Sequence, residues 1–344
     1  MQILDETAYE AVRPLLTETL SLHAPVDAIL ARGLEGQVWI DDPARPAVVL
    51  VSDGEAFYLG GNPERLAQPA ALRRLIPAWS YFLPERNWHS RLREIWDNPF
   101  ARPHPRLRFA PERSVTAPVM PAAFELVTID RASASRCPAV AELVRERAGG
   151  WRMATALLDA GVGHAVLHNG AVVSHCIPDC VIAARTELGV GTEPGFRRLG
   201  LARSAAAAAM EACRRRGIDD IGWHCHASNI GSIRIAEAIG LGQQVRYVAY
   251  SSNLPAENIG DLTEAQCRDW AAHLETASAQ VNWHSFHAAG AWVLAGEHDR
   301  ALACLARLVN GGWQGKAEWL EAHWAFAAIR DSAAFRAIVA RQRN

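Results

Sequence analysis

The stretch Arg197-Arg198-Leu199-Gly200-Leu201-Ala202 is the first place where this sequence offers a reason for chemistry. It stands in front of an alanine-rich run that ends in Arg214-Arg215-Arg216. The first turn of a helix leaves backbone N–H groups unpaired, and the helix dipole makes that end partly positive. Gly200 has no side chain, so a ligand can approach the main chain closely. A helix starting here would be an anion site suited to a pyrophosphate. An ordinary strand-to-helix turn would use the same residues without a ligand. The three arginines at the far end complement the dipole and face solvent, which sets them apart from the anion site.

The titratable groups near this stretch are Glu187 and the histidines His175, His224 and His226. A glutamate can act as a general base, and histidine titrates near neutral pH. His224 and His226 share one face of a strand, with Cys225 on the other face packed against a helix. Each histidine also has a purely structural reading. Cys176-x3-Cys180 and His224-Cys225-His226 contain metal-ligating types, but the spacing matches no zinc template, and no metal is expected.

Several elements must position these groups. "FELVTID" reads as a strand and "CPAVAELVRERAG" as a helix. "GHAVLHNGAVVSHCIPDCV" reads as a hairpin turning at Asn169-Gly170. "RTELGVGTEP" is a strand, Phe196–Arg216 a turn and helix, "DIGWHCHA" a strand, "SIRIAEAIG" a short helix and "QQVRYVAYSSN" a closing strand. The alternation describes a mixed α/β domain.

The order of strand, Arg197-x-x-Gly200-x-Ala202, helix, strand "IGWHCH" and then Asn229-Ile230-Gly231-Ser232 resembles the GNAT acyltransferase superfamily. The likeness covers about residues 125–251. It implies an α/β (α+β) fold whose mixed sheet is split at the cofactor strand, and an acyl-CoA donor, acetyl-CoA in the first instance. Backbone N–H groups of Arg197, Arg198, Leu199, Gly200, Leu201, Ala202 and Arg203 would hold the pyrophosphate. Val190, Gly191 and Thr192 would run beside the pantetheine arm, and Asn229 and Ser232 would touch its far side. A neutral amine would attack the thioester directly, with an N–H near Val190 steadying the oxyanion. Glu187 is the first candidate base and His224 a further one. Many members place a tyrosine seven residues after the asparagine to protonate the thiolate. Here that position is Ala236, which leaves the role to solvent or to another group such as Tyr247.

Outside this region the text is less specific. Residues 1–98 read as a small α+β module, expected to be a worn copy of the same fold. Within it, "QVWIDDP" and "AVVLVSDGEAFYLGG" look like two strands joined at Asp41-Asp42-Pro43, with both acids as turn residues. "PERLAQPAALRRLIPAWSYFL" and "SRLREIWDN" look helical. Six prolines between Pro99 and Pro121 mark residues 99–124 as a linker or an extended crossing segment with at most one short strand, "RLRFAP". The catalytic domain is then bounded at 125–257. Residues 258–344 read as amphipathic helices similar to a degenerate tetratricopeptide pair. Trp283, Trp292, Trp313, Trp319 and Trp324 lie there, as packing residues in the first instance and as an aromatic groove in the second.

A net charge of −2 gives no footing for nucleic acid, and no apolar run is long enough to span a membrane. The N-terminus has no secretory pattern, and seven scattered cysteines fit a reducing cytoplasm. The expected enzyme is a cytoplasmic N-acetyltransferase acting on a small-molecule or amino-acid-like amine, with a peptide acceptor and a homodimer left open. The competing reading is a CoA-binding sensor or scaffold whose helical end holds a protein partner.

Overall fold

The computed structural model describes residues 1–54, 56–76, 80–95, 101–113, 120–147, 151–252, 263–278, 282–313 and 315–343. Contacts divide the chain into two compact units, one built from Met1–Ile76, Ser80–Trp96 and Pro103–Tyr250, the other chiefly from Ser251–Asn344. The division falls near residue 250, whereas the proline-rich stretch from Pro103 onward belongs to the first unit. The reason is a strand exchange in the sheet.

The first unit is organised by twelve strands: β1 (Gln2–Ile3), β2 (Gln37–Ile40), β3 (Val48–Ser52), β4 (Ala56–Gly61), β5 (Tyr81–Pro84), β6 (Ala101–Pro111), β7 (Glu125–Ile129), β8 (Gly163–His168), β9 (Ala171–Ile182), β10 (Arg185–Thr192), β11 (Asp220–His226) and β12 (Leu241–Ser252). Their order is β1-β2-β3-β4-β5-β12-β6-β11-β10-β9-β8-β7. β7 to β10 pair antiparallel in turn, β10 runs parallel to β11, and β6 lies antiparallel on β11. The first half repeats the pattern: β1 to β4 are antiparallel, β4 is parallel to β5, and β12 lies antiparallel on β5. Each half thus receives its sixth strand from the other.

This exchange corrects the linker reading of residues 99–124. The strand "RLRFAP" is present but is part of the longer β6, in the middle of the sheet. Its ladder with β11 uses Arg106–Phe109, after Pro103 and Pro105 and before Pro111, so no proline interrupts it. The run "AVVLVSDGEAFYLGG" holds two strands, β3 and β4, turning near Gly54 at φ +96°. The expected helix over "PERLAQPAALRRLIPAWSYFL" is replaced by 3-10 turns at Pro63–Arg65 and Pro69–Arg74, followed by β5. Closely spaced prolines restart the chain before an α-helix can propagate. "SRLREIWDN" yields only the short helix Leu92–Ile95 after a 3-10 segment, Arg86–Arg91.

The α-helices among the described residues of this unit are α1 (Thr17–Leu22), α2 (Ala24–Leu30), α3 (Leu92–Ile95), α4 (Arg131–Arg136), α5 (Pro138–Arg147), α6 (Trp151–Ala160), α7 (Leu201–Arg215) and α8 (Ile230–Ala238). α4 and α6 were not expected from the sequence; α4 starts at a capping box in which Asp130 and Ser133 satisfy each other's N–H groups. α7 buries Ala205, Ala206, Ala209 and Ala212 against β-strand residues including Trp223 and Cys225. Small side chains let the helix axis lie close to the sheet. Asn169 (φ +51°) and Gly170 (φ +79°) turn the β8–β9 hairpin as expected.

The second unit contains α9 (Glu264–Ala277), α10 (His284–Leu294), α11 (His298–Asn310), α12 (Ala317–Ala322) and α13 (Ala333–Arg343). Trp270, Trp292, Phe326 and Phe335 form its core. Trp283 stacks on Phe286 and Trp313 at centroid distances of 4.6 and 5.5 Å. Trp319 and Trp324 instead remain half-exposed. No helix among the described residues is long and apolar enough to cross a membrane.

Candidate functional site

The pairing between β10 and β11 stops at Glu187↔Gly222, while β10 continues on β9 to Thr192. The sheet therefore splits at Glu187, leaving Leu188–Thr192 with one edge free of β11. A Cβ on Gly222 would fall 2.9 Å from Glu187 Cγ, so the glycine makes room for the carboxylate side chain. Val190, Gly191 and Thr192 occupy the open stretch. Gly191 has its own constraint, because the His175 ring lies 2.4 Å from where its Cβ would be. His175 is thereby a packing residue beneath the strand, and burial lowers its pKa to about 4.

Past β10, a 3-10 turn at Pro194–Phe196 leads into the loop before α7. Arg198 (φ +64°) and Gly200 (φ +79°) take left-handed conformations that swing the chain into the helix. No atom lies within 4 Å of a Cβ built on Gly200. Ser204 N reaches Gly200 O at 3.0 Å, and among the described residues no backbone carbonyl accepts from Leu201, Ala202 or Arg203 N–H. Arg197, Arg198, Leu199 and Gly200 are exposed. Arg197 Nε donates to Thr192 O at 3.3 Å, tying the loop to the strand end. Unpaired donors, an open approach and a long helix behind them fit a pyrophosphate. Asn229 caps α8, its Oδ1 accepting from Ser232 N at 3.1 Å, and Ser232 Oγ accepts from Trp223 Nε1 at 2.9 Å. These two residues carry local structure at the β11 end. Ala236 is fully buried in the core and presents nothing to a cleft.

On the other side of Glu187 lies a cavity of about 480 Å3. It is lined by Glu187, His224, Tyr247 and Asp179, and also by His23, Asp53, Tyr58 and Tyr81 from the N-terminal half and Arg106 from β6. Sequence reasoning missed Asp179 and the second group. His23 sits between two short helices, and nothing adjacent in the chain marks it. Arg106 lay in a segment read as a linker.

Polar contacts connect the cavity wall in series. Arg106 Nε donates to Tyr247 Oη at 3.2 Å, and Tyr247 Oη meets His224 Nδ1 at 2.8 Å. Arginine has only N–H groups to give, so the phenol oxygen accepts from it. His224 Nε2 lies 3.5 Å from Glu187 Oε1. Ala24 N donates to the same oxygen at 2.7 Å. Oε2 of Glu187 is then the oxygen left for a substrate. His23 packs 5.0 Å from the His224 ring and 5.1 Å from Tyr58, centroid to centroid. His226 joins this series at Arg106, with its Nε2 3.0 Å from both Arg106 and Tyr81 Oη. Cys225 is buried on the opposite face, as expected.

Burial dominates the electrostatics. It raises Glu187 to about 8, with the nearby charge of Asp179 adding to the rise. It lowers His23 to about 3 and His224 well below its ordinary value, neighbouring arginines contributing to both. Tyr247 is pushed up to about 12, again by burial, against the pull of Arg106. His23, Glu187 and His224 bring metal-ligating atoms within 4.8 Å of one another. Neutral rings beside a protonated acid suit proton handling.

The GNAT acetyltransferase family profile matches residues 16–250. The "Uncharacterized N-acetyltransferase YdfB" of Bacillus subtilis (strain 168) is 32% identical over 102 residues, 30% of this chain and 39% of that protein. The chain therefore aligns with well under half the length of that relative. Among solved structures, a GCN5-related N-acetyltransferase from Sphaerobacter thermophilus shares the fold at 15% identity, with a TM-score of 0.50, covering 72% of this chain and 93% of its own. A GCN5-related N-acetyltransferase-like protein from Streptococcus suis 89/1591 is 26% identical, with a TM-score of 0.49, covering 64% of this chain and 89% of its own. With the split sheet, the helix-start loop and a profile match that runs through both halves of the sheet, the chain belongs to the GNAT acetyltransferase family.

Proposed function

We propose that this protein transfers an acetyl group from acetyl-CoA to an amine, with Glu187 as the general base. The observation that carries the reading is the position of Glu187, a buried carboxyl at the apex of the β10–β11 split that also lines the cavity. Backbone N–H groups from Arg197 to Arg203 would hold the pyrophosphate, with Val190, Gly191 and Thr192 beside the pantetheine arm and Asn229 and Ser232 across from it. The bound thioester supplies an activated acyl carbon and a thiolate leaving group.

The chain's own residues would handle the proton. An acceptor arrives as an ammonium and must lose a proton before it can attack. Glu187 Oε2 takes it, while Ala24 N fixes the other oxygen and His224 lies beside it. A base titrating near 8 is well matched to an amine at neutral pH. Tyr247 serves in this scheme by orienting His224, its hydroxyl already engaged, and the second amine proton, shed as the tetrahedral intermediate collapses, reaches the thiolate through solvent. Repetition of the strand pattern supports reading the N-terminal half as a second copy of the fold. In that copy a Cβ on Gly60 would lie 2.2 Å from Leu15 O, so the equivalent strand end is covered by the chain itself. The acceptor is a small molecule, since the cavity matches the volume of small-molecule sites.

The test is thiol release from acetyl-CoA with an amine panel. Glu187→Gln should lower kcat by about 10²–10⁴-fold while leaving acetyl-CoA affinity within a few-fold. Full activity in that variant would remove Glu187 from the mechanism. Absence of turnover with every amine, despite tight acetyl-CoA binding, would favour a sensor.

A further inference from the structure

We propose that Arg106 docks a carboxylate of the acceptor, so that the acylated amine belongs to an amino-carboxylate. The proposal rests on the acyl-transfer reading for the amine end of that molecule.

Two arginines near Arg106 show what an internally balanced cation looks like in this sheet. Arg108 meets Asp220 at 2.8 Å, and Arg185 meets Asp220 at 2.7 Å and Asp27 at 3.1 Å. Arg106 has no carboxylate within ion-pair distance among the described residues. It is nonetheless largely withdrawn from solvent and lines the cavity. A cation in such a place is costly unless an anion joins it. Its orientation is also fixed. Nε is held by Tyr247 at 3.2 Å, NH1 by His226 at 3.0 Å, and the guanidinium carbon lies 5.3 Å from the centre of the Tyr81 ring. These contacts use two of five N–H donors. The remaining donors give a planar fork suited to a carboxylate.

Asp53 and Asp179 line the same cavity, with Arg147 as a second guanidinium on its wall. A ligand that carries one carboxylate and one ammonium suits a wall of both signs. Arg106 reaches Glu187 through Tyr247 and His224, so the carboxylate anchor and the base are held by one series of contacts. An acceptor anchored at Arg106 would present its amine toward Glu187.

The experiment uses the full chain with acetyl-CoA and paired probes: α-, β- and γ-amino acids, each beside its primary amide. Wild-type protein should acetylate acids over the matching amides by on the order of a hundredfold in kcat/KM, chiefly through KM. Arg106→Gln should abolish that preference by lowering kcat/KM for the acids far more than for the amides, and Arg106→Lys should restore part of it. Equal use of acids and amides by the wild type would overturn the proposal, as would a preference that survives Arg106→Gln. If no amine is acetylated, the acyl-transfer reading fails on its own, and thermal shift then decides Arg106. Amino acids should raise the Tm of wild type but not of Arg106→Gln, and amides should raise neither. No such difference would sink the carboxylate site. Circular dichroism on each variant checks that it is folded.

Discussion

Burial sets Glu187 apart from a surface carboxylate, and Asp179 sharpens the difference. Removing that negative neighbour favours the charged form, so Asp179→Asn should move the acidic limb of the kcat/KM–pH profile to lower pH, starting from a wild-type limb near 8. An unmoved limb would mean that another group controls the rate. At this scale the sequence was informative only where chemistry and motif coincide. Glu187 and His224 could be picked out because they lie on strands next to the glycine-arginine turn. His23, Tyr58 and Arg106 could not, since the topology that brings them to the cavity involves strands far apart in the chain. Their local sequences carry no sign of each other. The alternation of Arg106 and Arg108 on β6 was the one available hint, and it was obscured by the surrounding prolines.

The loop into α7 is the element on which donor binding depends. Gly200 sits at φ +79° with open space around its missing side chain. Asn and Asp both tolerate that conformation and are nearly the same size, so the pair separates charge from shape. Gly200→Asp should weaken acetyl-CoA binding more than tenfold beyond Gly200→Asn, measured by calorimetry at fixed salt. Equal affinities would show that the phosphates lie elsewhere. Elements such as β8–β9 and α7 were legible because each satisfies its own rules: a left-handed Asn-Gly pair, or a run of alanines behind a glycine. β3, β4 and the segment after Pro63 were less so. Two apolar runs interrupted only by Ser52-Asp53-Gly54-Glu55 can be read as one strand, and a helical pattern does not show that prolines will cut it into 3-10 pieces.

For the molecule as a whole, buried titratable groups give stability a defined dependence on pH. His23 and His175 have native values of about 3 and 4, so between there and about 6.5 the unfolded chain binds more protons. Stability should fall on acidification through that range. Glu187 acts in the opposite sense: the native state keeps its proton up to about 8, whereas the unfolded state loses it near 4.5. Its contribution therefore declines as pH rises between those values. Above pH 6.5 only the glutamate term of these three remains, and it should cost about 1.4 kcal/mol per pH unit. Urea midpoints from pH 5 to 8.5 should peak near 6.5, and Glu187→Gln should flatten the alkaline side. Equal alkaline slopes in both proteins would contradict the value for Glu187.

The exchange of β6 and β12 also sets an order of events during synthesis. The N-terminal half leaves the ribosome without its sixth strand, which is encoded at Leu241–Ser252. Until that segment emerges, β5 presents an unpaired edge, and the pairing that covers it closes a loop of well over a hundred residues. Such late, long-range closure slows folding and exposes nascent chains to mispairing. The cavity lined by both halves can be complete only after the last strand has been added. A chain truncated just before Leu241 would therefore lack more than Tyr247: β5 and β6 would each be left with an open edge, both seeking the one strand that was to lie between them.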